Sequence, residues 1–244
     1  MNELVDQTQD NSSLKMIENT LSIRELSQRM LSKIEPKTFA KAKDGRQQRK
    51  SAETRICILE ATVDCLVEKG YAALSIRDII DRANVSRGAM HHHFANKAKL
   101  VAAVIEYTFY KRMEKFLCDY IKIRAIESDF TRAATEVHWK NVQSREYSAY
   151  LELAVAARTN KALNDSFLPM AKRYDQVWCE EMHKTFPEWQ GSIENFNRAN
   201  DFAIVVHMGM LLNAPILGNE QRMKNIHEIL HKAIIQLFTD ITSD

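Results

Sequence analysis

The side chains best equipped for chemistry stand close together between Ser75 and Lys97, in the run SIRDIIDRANVSRGAMHHHFANK. They are hydrogen-bond donors: Ser75, Ser86, Arg87, His91, His92 and Lys97. Three adjacent histidines, His91 to His93, invite a metal. Neighbouring positions on a helix diverge by roughly 100°, so three consecutive rings cannot converge on one ion, and no metal site is expected. The four cysteines, Cys57, Cys65, Cys118 and Cys179, contain no CxxC pair and fit no zinc spacing. They read as small core side chains in a reducing compartment. Nucleophile-elbow, phosphate-loop, dinucleotide and metal-ligand patterns are missing. No catalytic residue and no cofactor is therefore expected, and an enzyme on a helical fold stays a remote alternative. Cationic and hydroxyl donors gathered on one short segment suit another task, gripping phosphates and reading the edges of bases.

Such side chains need a scaffold, and the flanking residues write one. A first helix is expected from about Ser51 to Lys69, with Ile56, Leu59, Val63, Leu66 and Val67 inward and Cys57, Ala61 and Cys65 as smaller fillers. Gly70 stands where a glycine ends a helix in the left-handed conformation. Ser75, with Asp78 three residues on, is a capping-box-like start for a short helix from Ile76 to Ala83, burying Ile76, Ile79, Ile80 and Ala83. Asn84 suits a left-handed turn and Val85 plugs it. Ser86 caps the next helix, where Met90 and Phe94 at i, i+4 face inward and Arg87, Ala89, His92 and His93 are left outward. Asn96 caps a fourth helix from Lys97. A cation there opposes the helix dipole, which favours a role for Lys97 toward an anion held by the free N–H groups beside it. Two helices in a tight turn, clamped between two longer ones, form a helix-turn-helix reader spanning residues 46–107.

The bulk composition agrees. Only 6 glycines and 4 prolines in 244 residues point to an all-α chain. The formal net charge is +2, so nucleic-acid binding must come from a local patch. One exists in front of the reader. From Lys37 to Arg55 seven basic residues (Lys37, Lys41, Lys43, Arg46, Arg49, Lys50 and Arg55) face two acidic ones. This run reads either as a solvated linker or as an arm lying on phosphates or in a minor groove. Before it, residues 1–45 form an N-terminal extension. It is partly helical over Leu14, Ile17, Leu21, Ile23, Leu26, Met30, Leu31 and Ile34, ends at Pro36, and reads as a tail or as a docking helix. No apolar run of membrane-span length and no signal peptide is found, so a cytoplasmic protein away from membranes is expected.

Gly70-Tyr71, Leu74-Ser75, Ile76 to Ile80, Ala83-Asn84-Val85-Ser86, Gly88, Met90, His92-His93-Phe94 and Lys97 to Leu100 together resemble the DNA-binding domain of the tetracycline-repressor (TetR) family, AcrR-like regulators included. Turn, caps, core and contact positions agree in spacing over about 50 residues. Four positions depart: Ser75 for the usual Thr, Ile80 for Ala, Asn84 for Gly and His91 for Tyr. The resemblance implies that Ser75, His91 and Lys97 grip phosphates. It implies that Arg87, Ala89 and His92 face base edges, Arg87 being best suited to a guanine. Gly88 would admit close approach to DNA. Ser86, Arg46, Arg49 and Lys50 complete the expected DNA-binding set.

Residues 108–244 read as a larger helical domain, which the resemblance makes effector-binding and dimerising. Helical patterns run from Lys97 to about Ile126, then over Asp129–Gln143, Arg145–Thr159 and Ala162–Phe186, the last broken by Pro187 and Gly191. The last two, Ile193 to about Ala214 and Glu220–Thr239, are apolar on more than one side, which asks for a partner. A homodimer through these helices fits the reading of double-stranded DNA at a palindromic operator. Candidate ligand-binding residues are His138, Trp139, Tyr150, Tyr174, Trp178 and His207, with Tyr147, Glu152, His183 and Phe202 beside them. Their aromatic content points to a hydrophobic effector, a lipid or acyl-CoA for instance. The function expected is a ligand-responsive repressor whose fourth helix couples effector to operator. A DNA-binding co-regulator without a small-molecule ligand is the alternative.

Overall fold

The computed structural model describes residue 25 and residues 27–36, 46–186 and 192–239. Every regular element among them is helical. In chain order these are α1 (Arg46–Lys69), α2 (Ile76–Ala83), α3 (Arg87–His93), α4 (Lys97–Arg124), α5 (Phe130–Val142), α6 (Arg145–Ala157), α7 (Lys161–Thr185), α8 (Ile193–Leu217) and α9 (Glu220–Thr239). Residues 27–33 are helical too, with Met30 and Ile34 buried. The rest of the N-terminal pattern (Leu14, Ile17, Leu21, Ile23, Leu26), the lysines Lys37, Lys41 and Lys43, and Pro187 and Gly191 lie outside the described residues.

The chain folds into two compact units. One is built from residues 33–114 and 141–177, that is α1 to α3, the first part of α4, α6 and most of α7. Its core joins Leu59, Leu66, Ile79, Met90, Leu100 and Tyr107 with Leu153 and Phe167. The other takes the described residues among 1–32, 115–140 and 178–244. There Phe116 stacks on Tyr120 (ring centroids 5.6 Å apart) and meets Trp178 edge-on at 4.7 Å, while Ala199, Leu230 and Ile234 seat α9 on α8.

Several local expectations are met. Gly70 ends α1 with φ +73°, its N–H donating to the Leu66 carbonyl at 2.9 Å. A Cβ there would also come within 3.0 Å of Glu152 Oε2. Asn84 takes the left-handed turn at φ 51°.

Others need correction. α1 starts at Arg46, so Arg46, Arg49 and Lys50 stand on its exposed first turns and not on an extended arm. Its inward face is also rotated. Ile56, Cys57 and Val67 are exposed, while Ile58 and Thr62 join Leu59, Val63, Leu66 and the expected fillers Ala61 and Cys65 inside. The cause is that α1 packs on α6 as well as on α2. Helix α8 runs on through Pro215 to Leu217. With mean hydropathy 1.3 over its most apolar window it is, by length and composition, long and apolar enough to cross a membrane, contrary to the sequence reading.

Candidate nucleic-acid interface

Caps fix the short helices. The Ser75 hydroxyl accepts from the Asp78 N–H at 3.1 Å and donates to Asp78 Oδ2 at 2.6 Å. The Lys69 ammonium, 2.8 Å away, and the same hydroxyl hold the Asp78 carboxyl below its usual range. Ser86 Oγ accepts from the Ala89 N–H at 3.0 Å, and Asn96 Oδ1 from the Lys99 N–H at 2.9 Å. Two orphan N–H groups are thereby satisfied, which pins where α3 and α4 begin.

Helix α3 is clamped on one side and open on the other. Met90 and Phe94 are buried. Arg55 braces its end, stacking 4.6 Å from the Phe94 ring centroid and donating to the His93 carbonyl at 3.3 Å. His93 is therefore half-buried rather than outward, and burial, then the neighbouring His92 and Arg55, lowers its pKa. On the open side Ser86, Arg87, Gly88, His91 and His92 are exposed and Ala89 half-exposed. No atom beyond its chain neighbours lies nearer than 3.8 Å to a Cβ placed on Gly88. The bare backbone there is open to an approaching ligand.

Ser75 and Lys97 stand apart from that face. Both are half-buried and drawn together, because Lys97 Nζ donates to the Leu74 carbonyl at 2.5 Å and lies 5.3 Å from the Tyr71 ring centroid. An ammonium carries three donors, so two stay available to an anion at this edge.

A charge network that sequence reasoning missed ties this scaffold to α6. Arg145 Nη1 donates to Asp64 Oδ1 at 2.7 Å, and its Nη2 bonds Glu60 and, at 3.1 Å, Glu146. Tyr107 donates to Glu60, and Arg82 of α2 reaches Asp64 at 3.6 Å and also pairs with Glu68. Burial acts to lower the Arg145 pKa, but the hydrogen bonds to Glu60 and Asp64 outweigh it and the net shift is upward. The Arg145, Glu60 and Asp64 side chains are 37, 33 and 30% exposed, so solvent screens each pair. The partners of Arg145 on α1 lie 81 and 85 positions away in sequence, and no local spacing signals them.

Helix α2, the left-handed turn at Asn84, and α3, held by its apolar side with donors on the other, form a helix-turn-helix. The family model for bacterial regulatory proteins of the tetR family matches residues 58–104. An uncharacterized HTH-type transcriptional regulator of Mycobacterium bovis is 31% identical over 148 residues, 58% of this chain and 75% of the relative. The chain belongs to the TetR family. The HTH-type transcriptional regulator CymR of Pseudomonas putida is 30% identical over 127 residues, 52% of this chain and 62% of that protein. A solved member of the TetR family from Streptomyces coelicolor shares the fold, with a TM-score of 0.58 at 18% identity, covering 76% of this chain and 98% of that one. This TetR-family protein is thus a DNA-binding transcription regulator and not an enzyme, and regulators of the family are dimers that bind small-molecule effectors.

The residues expected to bind an effector in this TetR-family chain separate into two groups. In one unit a cleft of about 60 Å³ is lined by Phe116, His138, Trp178, Met182 and Phe196 among others. Trp139 and His207 do not line it but adjoin His138: the His138 and His207 Nδ1 atoms are 2.7 Å apart, and the Trp139 and His207 ring centroids 5.6 Å. Ligand pockets run to about 300–1,000 Å³, so an effector entering here must displace the walls. In the other unit Tyr150 and Tyr174, with Tyr147, surround Arg112. Glu152 faces Gly70, His183 packs against Phe196 at 6.3 Å, and Phe202 is 40% exposed.

Proposed function

We propose that this protein is a ligand-responsive repressor that binds a palindromic operator as a homodimer. The observation that carries the reading is the open face of α3, where donors project from a helix locked by Met90, Phe94 and Arg55. Arg87, Ala89 and His92 read base edges. Ser75, Ser86, His91 and Lys97 hold phosphates, and Arg46, Arg49 and Lys50 add long-range attraction along the first turns of α1. In this scheme residues 46–107 are the reader, residues 108–244 the effector-binding and dimerising part, and residues 1–45 an extension to it. A hydrophobic effector in the cleft beside His138 and Trp178 biases the dimer against operator-compatible half-site spacing, with α4, which contributes to both units, as the route. The protein acts in the cytoplasm, where its operator lies.

The dimer forms through α8 and α9. Val205, Leu212 and Ile216 of α8 are 61, 57 and 77% exposed and Ile229 of α9 66%. Only 11% of the most apolar window of α8 is buried within the chain. An apolar face of this extent on a regulator whose family is dimeric calls for a second copy. The double variant Val205→Asp/Ile229→Glu is expected to sediment as a monomer and to lose operator binding, with an unchanged far-ultraviolet spectrum. A variant that remains dimeric, or a parent that sediments as a monomer, overturns this interface.

A further inference from the structure

Arg112 on α4 is an arginine without an anion. The residue is buried, with 8% of its surface exposed. No carboxylate pairs with it among the described residues, and its buried Nε donates to nothing. Aromatic rings surround it instead. The guanidinium carbon lies 4.0 Å from the ring centroid of Tyr150, 4.4 Å from Tyr147, 5.4 Å from Tyr174 and 5.7 Å from Phe109. All four belong to the same compact unit as Arg112. Asn141 Nδ2 donates to the Arg112 carbonyl at 3.1 Å and fixes the backbone from which the side chain reaches inward.

Ring faces offset part of the cost of burying the charge. They do nothing for the N–H donors, which point outward in the guanidinium plane. A buried donor left unsatisfied is costly, and native chains seldom keep one without a use for it. The hydroxyls of Tyr147 and Tyr150 also make no hydrogen bond among the described residues, although only Nε is fully buried without a partner. The groups here that lack a hydrogen-bond partner among the described residues, the Arg112 Nε and the Tyr147 and Tyr150 hydroxyls, can all donate. The complementary group is an acceptor with negative charge and two oxygens in one plane, matching the arginine fork. The walls around it are apolar and flat.

We propose that the Arg112 cage is an effector subsite for the carboxylate of an apolar or aromatic organic acid. The acid head forms a forked ion pair with Arg112 and accepts from the Tyr147 and Tyr150 hydroxyls, while its body lies against Phe109 and Tyr174. This rests on the ligand-responsive reading above and adds to the cleft beside His138 a second subsite, in the other compact unit, that takes an organic acid.

The test uses the full-length protein without DNA and reads binding by thermal shift and titration calorimetry. The probes are sodium benzoate and 3-phenylpropionate, their amides, and phenyl phosphate. Both carboxylates are expected to raise the melting temperature and the amides to leave it unchanged. Phenyl phosphate, a tetrahedral dianion, is expected to bind at least about tenfold more weakly than the carboxylates. Arg112→Met keeps much of the apolar packing and is expected to lose the response to both acids. Arg112→Lys keeps the charge without the fork and is expected to weaken it at least about tenfold. Equal binding of acid and amide, an Arg112→Met protein that still binds the acids, or a parent that ignores both acids at concentrations near saturation overturns the proposal. So does phosphate preferred over carboxylate. Should Arg112→Met fail to fold, Tyr150→Phe, which removes one donor only, must still reduce acid affinity, and unchanged affinity overturns the subsite. Operator release, followed separately in gel shifts, tests the other reading. Acids that bind through Arg112 without releasing DNA leave the site standing but overturn its role as an effector subsite. A neutral apolar compound that releases DNA, while the acids do not bind, upholds ligand-controlled repression and overturns the subsite.

Discussion

Gly88→Ala is expected to fold at least as well as the parent and to bind operator DNA at least about tenfold more weakly. The two halves of this expectation come from separate observations. Gly88 lies in α3, its φ is outside the left-handed region, and an added Cβ finds nothing nearer than Ser86 Oγ at 3.8 Å. Nothing within the chain asks for glycine there, and alanine favours the helix by up to about 1 kcal/mol. The glycine must therefore serve something outside the chain, and a methyl group on the exposed face of a reading helix holds the DNA away. Arg87→Ala is the companion. Losing a forked contact to guanine costs about 1–3 kcal/mol and relaxes preference at one base pair. Lys97→Ala is expected to weaken all sequences alike and to flatten the salt dependence by about one unit of slope. It is also expected to lower stability slightly, because the Leu74 carbonyl loses its donor. Anisotropy titrations at several salt concentrations, beside chemical denaturation of the same preparations, separate these outcomes. A Gly88→Ala protein that is less stable yet binds DNA normally contradicts the assignment of α3.

Acid is expected to destabilise the protein from about pH 6.5 downward, well before its carboxylates protonate. His207 is fully buried on α8, with His138 Nδ1 at 2.7 Å and the His227 ring centroid at 5.2 Å. Burial first, then the neighbouring His138 and His227, pushes its pKa down to about 2. In the unfolded chain the same ring titrates near 6.5. Between those values the unfolded state binds a proton that the folded state refuses. The His207 contribution is therefore complete above about pH 6.5 and falls as the pH drops below it. At about 1.4 kcal/mol per pH unit, moving from pH 6.5 to 5 removes about 2 kcal/mol through this group alone. His227 is shifted down as well, by burial first, and adds in the same direction. Glu228, held below its usual range by Arg132, loses its share only below about pH 4. Urea unfolding at pH 7.5 and 5.0 measures the difference, and His207→Gln is expected to shrink it by more than half. Equal pH dependence in parent and variant sinks this account of the buried pair.

The reader was legible because its information is local. Ser75 with Asp78, Asn84, Ser86 with Ala89, and Asn96 with Lys99 act within three or four positions, the range over which caps and turns are written. The faces of α1 were not. One apolar stripe predicted Ile56 and Val67 inside, but a helix that packs on both α2 and α6 buries a rotated and wider arc that brings in Ile58. The first turns of α1 were read as arm because Arg46, Arg49 and Lys50 carry no apolar signal. The ligand candidates divide between the two units for the same kind of reason. Aromatic content placed Tyr150 and Tyr174 beside His138 and Trp178, whereas the chain path puts the first two around Arg112 in one unit and the last two on a cleft in the other. A lone arginine in the middle of a long helix gives no warning that it will be enclosed by rings from α6 and α7.

The central claim is that α3, presented twice by a dimer, reads DNA sequence. Its most direct test is selection of binding sites by the purified protein from a random pool of double-stranded DNA. An inverted repeat is expected to be enriched, its half-sites centred about one helical turn, some 10 base pairs, or a multiple of it apart, with an altered half-site base for Arg87→Ala. No enrichment, or a site without two-fold symmetry, contradicts it.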